Sequence, residues 1–247
     1  MVFTLPAMAS TDGFYYYQMM NSSIQYLYAP GCALMCYKPE LANRLKDWVE
    51  RLYGPVILHT ACCLNKKECM TESCVLTPCV TCYQQYKKLC PDSEPVFLLE
   101  KLLETDCFPF PDYHGMEMSI QDTCSARLDP KILSVVRQLL ERMNIRLSEP
   151  QRSGNRSKCC GQKFYGKLPV EEVESLMAKR AGEMPCEEVV VYCASCITSM
   201  SVGGKRPRYL LDLLFGEKTD IFMLGAETWN SKLASFRIRN AKQQTSQ

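Results

Sequence analysis

The chain has 247 residues, enough to bury a large core as one domain or as two small ones. Apolar residues make up 47% and charged residues 23%, an ordinary globular balance that argues against disorder. The formal net charge of +2 gives no reason to expect nucleic acid or an anionic membrane as a partner, and no apolar run approaches the roughly 20 residues of a spanning helix.

In chain order, residues 1–23 show no clean period despite Tyr15-Tyr16-Tyr17 and Met19-Met20. Ile24–Tyr28 reads as a strand that ends at Pro30-Gly31 and delivers Cys32. Pro39 opens a helix with Leu41, Leu45, Trp48, Val49 and Leu52 on one face, closed by Gly54-Pro55. Val56–His59 reads as the next strand and stops at Cys62-Cys63; Cys74–Thr77 reads as a weaker one running into Cys79-Val80-Thr81-Cys82. Pro95 is expected to open a helix through Glu104, and the Pro-rich aromatic stretch from Cys107 to Tyr113 reads as a linker.

The second half repeats the plan. Met116–Gln121 is a candidate strand ending at Cys124, and Pro130 opens a helix with Ile132, Val135, Val136, Leu139, Leu140 and Met143 at helical spacing. A polar loop from Gln151 leads to Cys159-Cys160-Gly161, and Pro169 opens another helix bearing Val170, Val173, Leu176 and Met177. The strand Glu188–Tyr192 feeds directly into Cys193-Ala194-Ser195-Cys196; a helix follows around Tyr209–Phe215, and the polar, basic tail from Ser231 is expected to fray.

Alternating strands and helices with short connections predict an α/β fold: two pseudo-repeated Rossmann-like halves with parallel sheets and cysteine clusters at the C-terminal strand ends. The predicted boundaries are 24–106 for a shortened first half, 107–115 for the linker, 116–215 for the second half and 216–247 for the tail. Ligands of such sheets sit beyond the C-terminal ends of the strands, where Cys32, Cys62, Cys124 and Cys193 fall.

Ten of the sixteen cysteines form two like sets: Cys32, Cys62, Cys63, Cys79 and Cys82, then Cys124, Cys159, Cys160, Cys193 and Cys196. Met1–Ser10 has no basic segment ahead of its short apolar part, so no signal peptide and a reducing, cytoplasmic setting are expected. There, cysteine clusters serve metal binding or redox chemistry more often than disulfides. C-x2-C at a strand-to-helix turn puts two sulfurs in one concavity, where the first helical amides favour thiolate. Adjacent cysteines diverge, so Cys159 and Cys160 do not readily chelate one ion, while Gly161 lets the backbone pass close to a cofactor. Soft sulfur ligands without histidine select zinc or iron–sulfur, and a fifth cysteine in each set exceeds the four that zinc needs. A lone C-x2-C is also compatible with a zinc half-site or a thioredoxin-like dithiol.

Cys36, Cys69, Cys74, Cys90, Cys107 and Cys186 lie outside the pattern and read as small buried residues, with Cys69 and Cys74 placed between Cys63 and Cys79. The two histidines, His59 and His114, form no Ser/His/Asp arrangement; of the two, His59 stands nearer the cysteines and reads as a structural residue rather than a cluster residue. There is no P-loop and no G-x-G-x-x-G, hence no sign of the chain's own nucleotide or flavin site.

The repeated C-xn-C-C-G-xm-C-x2-C pattern resembles the cysteine-rich CCG domain found in heterodisulfide reductase and in the iron–sulfur subunits of glycolate and lactate oxidation systems. The resemblance spans roughly residues 24–215 and is strongest in Gln121-Asp122-Thr123-Cys124 with Arg127, in Cys159-Cys160-Gly161, in Tyr192-Cys193-Ala194-Ser195-Cys196 and in the helix Arg208–Leu214. It implies non-cubane [4Fe-4S] clusters, one per five-cysteine set, and the reduction of a disulfide or electron exchange with a partner oxidoreductase. The chain lacks a ferredoxin-type C-x2-C-x2-C-x3-C-P run, so a ferredoxin-like protein or flavoprotein is the expected electron partner, with a small disulfide or thiol as substrate. The alternatives are a non-catalytic electron carrier and a zinc-binding interaction module. The chain departs from the family at Gln121 and Thr123, where histidine and proline are usual, and at Leu64, where the first copy lacks the glycine. Only Leu64–Pro78 separates Cys63 from Cys79, against Gly161–Tyr192 in the second copy, so the first half is expected to have lost a helix. Its cluster then has a different geometry, recruits Cys69 or Cys74, or is absent.

Overall fold

The computed structural model describes residues 25–60, 73–90, 92–221 and 225–244, the side chains of 241–244 excepted. Among the described residues eight strands form two four-stranded sheets. The first holds β1 (Gln25–Tyr28), β2 (Ile57–Leu58), β3 (Ser73–Thr77) and β4 (Glu94–Phe97) in the order β2-β1-β3-β4. The second holds β5 (Met116–Gln121), β6 (Ile145–Leu147), β7 (Glu188–Val191) and β8 (Arg206–Tyr209) in the order β6-β5-β7-β8. Every pairing is parallel. The protein is therefore α/β, with one strand order used twice. The central strands β3 and β7 carry the buried, β-branched runs that a parallel sheet covered on both faces requires.

The helices announced by Pro39, Pro130 and Pro169 form as expected. Pro39–Tyr53 and Pro130–Arg142 each begin on proline, whose missing N–H and fixed φ suit a first helical position. The Asp129 side chain caps the second, accepting from the Ile132 amide at 3.3 Å. Pro169 immediately precedes the helix Val170–Ala181, which buries Val173 and Met177.

Three expectations are corrected. Pro95 does not open a helix: it lies in β4, and the helix is Leu98–Glu104. The helix expected around Tyr209–Phe215 likewise begins only at Leu210, after β8, and runs to Leu214. Both prolines, Pro95 opposite Val75 and Pro207 opposite Val189, occupy edge strands, where no neighbour on the outer side needs an N–H. The two segments, Glu94-Pro95-Val96-Phe97-Leu98-Leu99-Glu100 and Arg206-Pro207-Arg208-Tyr209-Leu210-Leu211-Asp212, are copies of one strand-to-helix unit. Third, the tail is not frayed from Ser231. Residues Ala226–Gln244 form a helix whose Ala226, Trp229 and Leu233, spaced three and four apart, are buried. It packs on the helices Cys32–Tyr37, Val170–Ala181 and Ala194–Val202. β6, a three-residue edge strand, forms where the sequence pattern suggests only the approach to a loop.

The halves share one core and are fastened by two equivalent ion pairs. Lys38, just ahead of Pro39, reaches Asp212 of the second half at 2.7 Å; Lys131, just after Pro130, reaches Glu100 of the first half at 2.7 Å. Asp212 and Glu100 hold the same place in the repeated unit. The first pair is buried and enlarged: Tyr37 donates to Asp212 at 2.6 Å, Lys38 also meets Glu217 at 2.9 Å, and Glu217 is bonded by Arg44. Burial disfavours the Lys38 charge, but bonds from Asp212 and Glu217 outweigh it and hold its ammonium above the usual lysine range. Burial also pushes the Asp212 carboxyl up, against the pull of Lys38 and Tyr37. The second pair is largely open, with Lys131 68% exposed. The stretch between the halves is packed: Phe108 lies against Trp48, Phe110 and Phe215 at ring separations of 5.0, 4.9 and 5.8 Å. Among the described residues no helix is long and apolar enough to cross a membrane.

Candidate metal centre

In each sheet the strand order reverses between two neighbours, β1 and β3 in the first and β5 and β7 in the second. A crevice opens at such a point beyond the strands' C-terminal ends. These are the strands that deliver Cys32, Cys79, Cys124 and Cys193.

In the second half the fold brings all five predicted cysteines together. Cys124 begins a short 3-10 turn after β5, Cys159 and Cys160 arrive on the loop after β6, and Cys193 caps the helix Ala194–Val202, which carries Cys196 in its first turn. Cys196 donates to Cys160 at 3.3 Å, and Cys124 with Cys159, Cys159 with Cys160, and Cys193 with Cys196 lie near enough to shift one another's thiols. Cys160 and Cys196 are buried, Cys159 and Cys193 are half-buried, and Cys124 opens to solvent.

The electrostatics differ from one cysteine to the next. The hydrogen bond from Cys196 draws the Cys193 thiol down to about 7 against burial, helped by the amides of Ser195 and Cys196 and by Thr123. Bonds from Cys124 and Cys160, with the amides of Lys163 and Gly161, hold Cys159 far below the usual thiol range. Cys124 and Cys160 are pushed up first by bonding to Cys159, and Cys196 first by bonding to Cys160 and then to Cys193; burial and like-charge repulsion add to all three. Five sulfurs this close do not all ionise without a cation among them. The donor set, all soft sulfur with helix-end amides at one side, fits a multi-iron cluster. Among the described residues no group of three or more His, Cys, Asp or Glu side chains is placed to hold a metal ion as the side chains stand.

The neighbouring polar groups fix the three cysteine-bearing turns relative to one another. Asp122, fully buried, accepts from Arg137 at 3.2 and 3.0 Å, from Tyr192 at 2.8 Å and from the Gly154 amide at 2.6 Å. It thus ties the end of β5 to the loop leading to Cys159 and to the residue before Cys193. Gln121 donates to the carbonyls of Asp122 and Lys158 at 2.9 Å each and accepts from buried Arg180 at 2.6 Å. Gly161 has φ +101°, and a Cβ there would stand 2.7 Å from Met177 Cγ and 3.0 Å from the Met177 amide nitrogen. The glycine of the motif is therefore required by close approach of the loop to the helix Val170–Ala181. Arg127 Nε is buried with no hydrogen-bond partner, a cationic donor three residues beyond Cys124.

In the first half Cys79 caps the helix Val80–Leu89, and Cys82 sits one turn on. The bond from Cys82 lowers the Cys79 thiol, with the amides of Cys82 and Thr81 assisting. A Cβ added to Gly31 would stand 3.1 Å from Cys82 Sγ, so the turn carrying Cys32 presses against this C-x2-C. Cys62, Cys63 and Cys69 lie outside the described residues. Cys74 is no recruit to a cluster: it sits near the N-terminal end of β3, inside the core, where burial pushes its thiol up to about 12. Cys36 is buried, Cys186 half-buried, Cys107 exposed rather than buried, and Cys90 is disulfide-bonded. His59 Nδ1 meets the Tyr86 hydroxyl at 2.6 Å, a structural contact; His114 is exposed beside Asp112. Of the first set, Cys79 lies close to the second set. Cys79 and Cys193 repel, and the buried hydroxyl of Tyr209 senses both. Thr81 and Ser125 meet at 2.9 Å across the junction, joining the first half's C-x2-C helix to the Cys124 turn.

No family model matches the chain, and no curated protein matches it as a relative. Three contributors near the centre carry no cysteine signal. Ser199 donates to Cys160 at 3.3 Å, Tyr192 anchors Asp122, and Trp229 of the C-terminal helix donates to Ser195 Oγ at 2.9 Å inside the C-x2-C loop. Only Tyr192, adjacent to Cys193, had a sequence cue.

Proposed function

We propose that the protein is an iron–sulfur redox protein resembling the CCG-domain component of heterodisulfide reductase, which reduces a disulfide or passes electrons with a partner oxidoreductase. The observation that carries this reading is the gathering of five cysteines, Cys124, Cys159, Cys160, Cys193 and Cys196, at the switch point of the second sheet, with Cys196 bonded to Cys160 at 3.3 Å. These five residues would hold a [4Fe-4S] cluster of the non-cubane type, and Cys32, Cys62, Cys63, Cys79 and Cys82 would hold the related one in the first half. Such a cluster, when bound, supplies one-electron transfer.

The chain's own residues account for the rest. Asp122, Arg137 and Tyr192 orient the cysteine-bearing turns, the N-terminal amides of the helix Ala194–Val202 favour thiolate at Cys193, and Trp229 with the C-terminal helix closes one side against water. Cys124 leaves the opposite edge open for a small disulfide or a redox partner. The electron partner is a ferredoxin-like protein or a flavoprotein.

The test is iron, zinc and acid-labile sulfide per chain, with a visible spectrum, on protein purified without oxygen. The proposal expects iron with matching sulfide, about four irons for one cluster and about eight for two. Zinc alone in a colourless protein would overturn it and leave the interaction module.

A further inference from the structure

Ser199 lies on the helix Ala194–Val202, one turn beyond Cys196, and is fully buried. Its hydroxyl has two acceptors within reach: Cys160 Sγ at 3.3 Å and the Ser195 carbonyl at 3.4 Å. The first is a normal distance to the larger sulfur atom; the second is long for oxygen, so the proton belongs to the sulfur. A buried hydroxyl without an acceptor is costly, and here the acceptor is one of the five clustered cysteines. The Cys196 thiol also donates to Cys160, but as a cluster ligand it would be a thiolate with no proton to give. Ser199 keeps its proton and remains the donor.

We propose that Ser199 is a positioning residue that acts through Cys160: its hydrogen bond sets the reduction potential of the second-half cluster and favours the reduced form. This rests on the iron–sulfur reading above. Reduction places one electron, from the partner redox protein, onto the cluster and its ligand sulfurs; no bond to Ser199 forms or breaks and its proton stays on oxygen. The added negative charge strengthens a hydrogen bond to ligand sulfur, so the donor stabilises the reduced state more than the oxidised one. The corresponding residue of the first half, three positions beyond Cys82, is half-buried Gln85, so the two sites are not tuned by the same group.

The experiment compares wild type, Ser199→Ala and Ser199→Thr, purified without oxygen, by iron content and by a redox titration followed by electron paramagnetic resonance. Ser199→Ala is expected to keep the wild-type iron content. Its reduced-to-oxidised ratio at a fixed ambient potential should fall on the order of tenfold, or 59 mV for a one-electron couple. Ser199→Thr, which retains the hydroxyl, should stay near wild type. An unchanged ratio in Ser199→Ala at full iron content, or a threonine variant shifted as far as the alanine one, overturns the inference and leaves the iron–sulfur reading standing. Wild type without iron overturns that reading, and this inference with it. Should the alanine variant fail to fold, Ser199→Val against Ser199→Thr, equal in shape and differing in the hydroxyl, makes the same comparison.

Discussion

Cys32, Cys79 and Cys82 of the first half follow their strands as Cys124, Cys193 and Cys196 do in the second, but the turns that carry them are held by different means. Two residues before Cys124 stands Asp122, and one before Cys193 stands Tyr192; the two are bonded at 2.8 Å and tied to Arg137 and Gly154. The corresponding residues of the first half, two before Cys32 and one before Cys79, are Pro30 and Pro78. One half fixes its strand ends with a buried polar network, the other with backbones whose φ is restricted by the ring. The motif glycine follows the same logic. Gly161 is needed because Met177 of the helix Val170–Ala181 presses on it. Residues 148–187 connect β6 to β7, whereas only residues 59–72 connect β2 to β3, and Leu64 replaces the glycine there. The strand order and the places of Cys32, Cys79 and Cys82 against Cys124, Cys193 and Cys196 are thus what the halves have in common, while the supports around these sulfurs differ.

The sharpest way to break this comparison is at the ion pairs that join the halves. Lys38→Met leaves Asp212 buried beside Tyr37 without its cation and should cost about 3–5 kcal/mol in urea unfolding. Asp122→Ala should cost about 2–3 kcal/mol, since it strands Tyr192, the Gly154 amide and part of Arg137 while Glu149 still holds that guanidinium. A cost under about 0.5 kcal/mol, typical of a surface site, would show that the network does not hold the turns. Gly161→Ala should cost about 1–3 kcal/mol through its positive φ and the contact with Met177, and should lower iron content by displacing Cys160. At the bottom of the scale, Lys131→Met should cost less than about 1 kcal/mol, because that pair is exposed. Equal losses for Lys38→Met and Lys131→Met would refute the distinction between a buried and an open fastening.

Much of the fold was legible because it rests on local signals. Pro39 and Pro130 mark helix starts, Val189-Val190-Val191 marks a central strand, and the cysteines fall at strand ends. What escaped was decided by position in the sheet. Pro95 looks like a helix opener until β4 is known to be an edge, where a proline strand is tolerated, as it is for Pro207 in β8. The repeated Pro-x-aromatic-Leu-Leu-acid unit was visible in the sequence and would have placed both strands at once. β6 is too short to show a period. The C-terminal helix hides its buried stripe, Ala226, Trp229 and Leu233, among polar and basic residues that face solvent. At the centre, cysteine spacing pointed to the five sulfurs, but Ser199 and Trp229 act through tertiary contacts that no spacing rule reveals.

The measurement that tests the account most directly is iron and sulfide per chain, anaerobically, in wild type beside two double variants, Cys193→Ser with Cys196→Ser and Cys79→Ser with Cys82→Ser. The account predicts that the first pair removes about four irons with their sulfide while the second leaves the second-half cluster in place. Wild-type iron retained in the Cys193 and Cys196 variant, or zinc and no iron in the wild type, would contradict it.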